Sequence, residues 1–149
     1  MKEEDRMHAP PLFRDRSRPI QIALGGFVPF AFGAVVGVVL GISAGAYWGL
    51  SVLAALGAIV AGFEHKDGWG GADRGLVGGA LFGAGVLIAH AIAGTDAKVS
   101  LGSFPPLLVV IDAIAGMLLS AIGGRLRRTL WADSHGGDPP PSGSEAPEV

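Results

Sequence analysis

Cysteine is absent from the chain, which excludes disulfides and thiolate metal sites and leaves the compartment open. Charge is scarce, at 16% of 149 residues, and unevenly placed. From Pro19 to Phe63 there is no Asp, Glu, Lys, Arg or His, and Gln21 is the only long polar side chain. From Gly75 to Thr95 the only ionisable residue is His90, and from Val99 to Gly124 it is Asp112. Uncharged apolar runs of about 18 or more residues read as membrane spans. Three such runs in one short chain exclude, on sequence grounds, a soluble domain. Catalytic patterns are missing too: no P-loop, nucleophile elbow or HExxH occurs, so no catalytic residue and no cofactor is expected. No broad basic face points to nucleic acid.

What the chain does have is small and apolar. The first run, 45 residues from Pro19 to Phe63, would make a helix of about 67 Å at 1.5 Å per residue. A bilayer core is only about 30 Å thick, so the run must turn back. Ile42-Ser43-Ala44-Gly45 is its weakest helical stretch, and Tyr47 and Trp48 follow, residue types that favour the membrane–water interface. The spacing predicts span 1 at 20–42 and span 2 at 46–63, with a tight turn at 43–45. Span 3 follows at 75–93. Span 4 runs over 105–124, with Pro105 and Pro106 in its first turn, where proline is tolerated. Pro29 falls inside span 1, where it would bend a helix. The expected fold is all-α and integral to the membrane, four transmembrane helices arranged as two hairpins. It divides into an N-terminal tail (1–18), a membrane domain (19–128) and a disordered tail (129–149) rich in Pro, Gly, Ser and acids. The first dozen residues are expected to be mobile, with Leu12 and Phe13 reaching the headgroups.

Basic residues fix the orientation. Ten of the eleven Lys and Arg fall in the N-terminal tail, the span 2–3 loop and the flank after span 4, and only Lys98 lies on the other side. The positive-inside rule then puts both termini in the cytoplasm of a cell (inner) membrane protein. Trp69 and Trp131 mark the inner interface, and Tyr47, Trp48 and Phe104 the outer one.

Each span carries small residues at four-residue spacing. These are Gly33, Gly37 and Gly41 in span 1, Gly49 and Gly57 in span 2, Gly79 and Gly83 in span 3, and Gly116 and Ser120 in span 4. Lipid tails are as apolar as leucine, so membrane helices associate by close packing, which small residues permit. These nine positions are the expected helix-packing residues, within one bundle or against a second copy.

His90 and Asp112 are the only ionisable groups inside the spans, and an ionisable group in a bilayer is a functional candidate by default. Both project from the small-residue faces of adjacent antiparallel spans at similar depth. They form a candidate proton or cation site, or else a structural hydrogen bond pinning span 3 to span 4. The loop FEHKDGWGGADRG at 63–75 offers Glu64, His65, Asp67 and Asp73. It lacks recurrent metal-ligand spacing and reads as a solvated loop, with Asp73 suited to a helix N-terminus. The expected function is that of a small structural or accessory membrane protein, not an enzyme. Its expected partners are the lipid bilayer and either a second copy or another membrane protein. The alternatives are a small ion- or proton-coupled transporter or channel using Asp112 and His90, and a holin-like pore former.

Overall fold

The computed structural model describes residues 12–65 and 68–132. Among them are four helices long and apolar enough to cross a membrane, and no strand. Helix α1 spans Arg18–Leu40, α2 Ala44–Gly62, α3 Gly68–Ala93 and α4 Leu107–Ala132. The described helices are antiparallel in chain order. The start of α3 meets the end of α4, where Gly68 lies against Arg125 and Ala121.

Local chemistry explains most of the helix ends. Ser43 is extended, and its hydroxyl accepts from the Ala46 N–H at 3.3 Å, so α2 begins with a serine cap. Helix α3 stops at Gly94, whose φ of +62° is the left-handed conformation that glycine adopts without a Cβ penalty. Its N–H bonds back to the His90 carbonyl at 3.2 Å. Pro105 and Pro106 form the turn that leads into α4. Within α1, residues Ala23–Phe27 widen into a π turn in which the Val28 N–H reaches the Ala23 carbonyl. Pro29 follows immediately and has no N–H to give the preceding turn.

Two helices extend beyond the uncharged runs. Helix α3 starts at Gly68, seven residues before the expected 75, so Asp73 lies beyond its first turn and does not cap it. Helix α4 continues through Arg125, Arg127 and Arg128 to Ala132, taking in the first residues expected to be disordered. The rest of that tail, 133–149, and residues 1–11 lie outside the described residues.

Helix α3 packs most extensively on α4 and next on α1, while α2 packs mainly on α4. Around the bundle the order is therefore α1, α3, α4, α2. The helices joined by the tight turn at 41–43, α1 and α2, share only a small contact.

Glycine makes these contacts possible. A Cβ on Gly75 would run into the Gly116 carbonyl, one on Gly79 into the Asp112 carbonyl, and one on Gly71 into the Ser120 carbonyl. Gly83 lies against Val109 and Asp112. Gly71, Gly75, Gly79 and Gly83 thus lay one helix backbone directly on the other. On the opposite side of α3, Gly33 and Gly37 of α1 face the backbone of Phe82 and Val86, and Gly85 reciprocates against Phe30 and Ala34. Gly62 and Gly123 bring α2 onto α4, where the fully buried Ser120 hydroxyl donates to the Ala58 carbonyl at 2.8 Å.

The remaining expected packing positions differ. Gly41 faces Thr95 in the α3–α4 loop and not another helix. Gly49 and Gly57 have nothing within 4 Å of a Cβ, because that face of α2 points out of the bundle. The α3–α4 loop folds over the end of α1: the Lys98 N–H donates to the Leu40 carbonyl at 2.9 Å, and Val99 and Leu101 pack on Val36, Leu40, Tyr47 and Val86.

The side of each glycine that is filled decides what a substitution does. Gly33→Val and Gly79→Val force branched side chains into a facing backbone and should each destabilise the bundle by about 1–3 kcal/mol. Gly57→Val enters open space and should change stability by no more than about 0.5 kcal/mol. Thermal unfolding of the purified variants, followed by helical circular dichroism, compares them directly.

Candidate functional site

The α3–α4 seam carries the one acid of the apolar part of the bundle. Asp112 sits on α4 where its own carbonyl covers Gly79 and its carboxylate covers Gly83. A Cβ on Gly83 would lie 2.9 Å from Asp112 Oδ2. That oxygen is buried and has no hydrogen-bond partner among the described residues. A buried polar group ordinarily finds a partner, because an unmet one costs on the order of 1–3 kcal/mol. The neighbour that sequence reasoning missed is Tyr47 of α2. It is 7% exposed and part of the central cluster with Val36, Leu40 and Val86. Asp112 is near enough to interact with it electrostatically. Val99 and Leu101 of the α3–α4 loop pack on the cluster that contains Tyr47. Trp48 and Phe104 remain exposed.

His90 is placed differently from Asp112. No hydrogen bond or ion pair joins the two among the described residues, and His90 Nδ1 is buried without a partner of its own. The seam sets their separation. Asp112 faces Gly79 and Gly83, whereas His90 is seven residues past Gly83, about 10 Å further along α3 at 1.5 Å per residue. The two helix ends suggested equal depth, but the glycine contacts determine the register.

A second polar group lies at the opposite end of the bundle. Residues Phe13–Asp15 make one 3₁₀ turn before α1. This segment folds onto the α2–α3 connection, where the Phe13 N–H donates to the Glu64 carbonyl at 3.0 Å. The Phe13 ring stacks on His65 at 5.7 Å, and the Arg74 guanidinium lies 4.0 Å above it. Glu64 accepts from Arg16 at 2.7 Å through one oxygen and from Arg74 at 2.5 Å through the other. Arg127 donates to the Phe63 carbonyl at 2.6 Å. Glu64 is therefore the anion of an ion-pair network between α1, α2 and α3, and not a free side chain of a solvated loop. Phe13, expected to reach the headgroups, packs against His65 and Arg74. The spacing of Arg16, Glu64 and Arg74 gave no hint of this, since the three come from separate segments. Asp67, also considered as a ligand, lies outside the described residues.

Two contacts can be tested individually. Glu64→Ala leaves two partly buried guanidinium groups without their anion and should cost about 1–3 kcal/mol. Ser120→Ala removes one interhelical hydrogen bond and should cost about 0.6 kcal/mol, the usual size for such bonds in membrane proteins. Unfolding midpoints of the two variants should fall in that order. No family model matches the chain, and no curated protein or solved structure matches it.

Proposed function

We propose that the chain is a four-span integral membrane protein of structural or accessory type, which packs through small residues against itself or a membrane-protein partner. The observation that carries this reading is the outward surface of the helices. Val35 and Val38 of α1, Val52, Leu56 and Val60 of α2, Val77 and Ile88 of α3, and Ile111, Ile114, Leu118 and Ile122 of α4 are all exposed. Apolar side chains on every outward face need an apolar solvent, and the charged side chains other than the enclosed Asp112 gather at the two ends. The cytoplasmic side is the arginine-rich end in this reading, which puts both termini there. Along the α3–α4 seam the two helices meet backbone to backbone at Gly71, Gly75 and Gly79. The open glycines of α2 give a partner helix a surface it can approach closely.

A second reading has one specific observation in its favour. The unpartnered, buried Asp112 oxygen is suited to hold a proton or a cation in a small transporter or channel.

Two measurements test the membrane placement that both readings share, and two more separate the readings. Alkaline carbonate should leave the chain in the membrane pellet, and reporters fused at either terminus should be active only in the cytoplasm. Release by carbonate, or an external reporter, would sink the membrane reading or its orientation. In mild detergent the structural reading expects cross-linked oligomers that disappear in Gly49→Leu/Gly57→Leu, with an unchanged unfolding midpoint. In proteoliposomes containing a pH-sensitive dye, the transport reading expects a proton or cation flux that Asp112→Asn abolishes. Vesicles with no flux above protein-free controls would leave the structural reading in place.

A further inference from the structure

The two ends of the bundle differ sharply in charge. At the end shared by the starts of α1 and α3 and the finishes of α2 and α4, the described residues include seven arginines, at 14, 16, 18, 74, 125, 127 and 128. Three acids stand against them: Asp15, Glu64 and Asp73. Glu64 is already engaged by Arg16 and Arg74. Arg125 and Arg128 of α4 are exposed and form no ion pair among the described residues. The opposite end carries one acid and one base in its connecting loop, Asp96 and Lys98.

The surface leading to Arg125 is distinctive. Ile111, Ile114, Leu118 and Ile122 follow one another at three- and four-residue steps, so they form a single stripe along α4. Each is 47–55% exposed. Arg125 comes three residues after Ile122 and continues the stripe, and Arg128 lies one turn further at its edge. From Ile111 to Ile122 the stripe rises about 16 Å at 1.5 Å per residue. One leaflet of a bilayer core is about 15 Å deep, half of about 30 Å. Where α3 begins beside this end of α4, Trp69 is 82% exposed, in keeping with the level of the headgroups.

We propose that this edge of α4 is a binding site for an anionic phospholipid, whose phosphate is held by Arg125 and Arg128 and whose acyl chain lies along Ile122, Leu118, Ile114 and Ile111. The proposal rests on the membrane reading and adds a named lipid class and a place. Charge complementarity selects an anion, and a guanidinium is well matched to a phosphate. The apolar stripe that ends at the two arginines selects an amphiphile over an acidic peptide or a free ion.

The test uses the full-length protein in detergent micelles containing equal amounts of phosphatidylglycerol and phosphatidylcholine, with bound lipid read by native mass spectrometry. Phosphatidylglycerol should be retained in preference to phosphatidylcholine. Two arginines near a surface make a contribution worth roughly 30-fold in affinity, and Arg125→Gln/Arg128→Gln should lose that much. Lys98→Gln, at the other end, should lose none. Leu118→Ser should weaken retention while both arginines remain, which separates a lipid site from a headgroup-only anion site. Equal retention of the two lipids, an equal effect of Lys98→Gln, or full displacement by inorganic phosphate would each overturn the proposal. Carbonate extraction of wild-type membranes judges the membrane reading on its own: a chain that stays in the pellet yet shows no lipid preference refutes the lipid site and spares that reading.

Discussion

The fold depends on backbone lying against backbone between α3 and α4. Gly71, Gly75, Gly79 and Gly83 remove four side chains in a row from one helix, and Ser120, Gly116, Asp112 and Val109 of the other close into the space. Dispersion falls steeply with distance, so a seam without side chains gathers many near-optimal contacts over a short length. Helix α3 repeats the device on its other side with Gly85 against Gly33 and Ala34. Helix α4 is likewise held on two faces, by α3 and by α2 through Gly62 and Gly123, so α1 and α2 take their places from the α3–α4 pair. The glycines lower helix propensity, and close packing offsets that cost only where a partner is present.

The two polar features use different physics. At the arginine-rich end, separate chain segments meet on one carboxylate, and both of its oxygens are matched by guanidinium donors. In the seam a single carboxylate oxygen is enclosed with no donor among the described residues. The first arrangement satisfies its charges and ties the N-terminal segment down. The second leaves hydrogen-bonding capacity unused, which is why it, and not the ion-pair network, is the place to look for ligand chemistry.

Much of the architecture was legible in the sequence. The uncharged runs placed four helices, the interfering length of the first run required a turn, and Ser43 caps the helix after it. Asp112 stood out because nothing else in its run is charged. Other features were hidden for identifiable reasons. Asp73 and Arg74 ended an apolar run but not a helix, because a helix has no need to stop where its environment becomes polar. Four-residue glycine spacing marked a face without naming its partner: Gly57 looks like Gly37 in sequence, yet one is open and the other covered by Val86. The burial of Tyr47 was hidden because packing by a loop fifty residues away leaves no periodic trace. Residues 13, 16, 64 and 74 meet only through tertiary structure.

The order of helices around the bundle differs from their order along the chain. Helix α1 is complete some forty residues before the stretch of α3 that covers it, so Gly33 and Gly37 have no backbone against them while α1 and α2 alone have been synthesised. The first helix pair is thus an unfinished surface during translation. Its fit comes with α3, and the Lys98 N–H reaches the Leu40 carbonyl only after α3 is complete. The close contacts of α1 are therefore completed by residues of the second half of the chain.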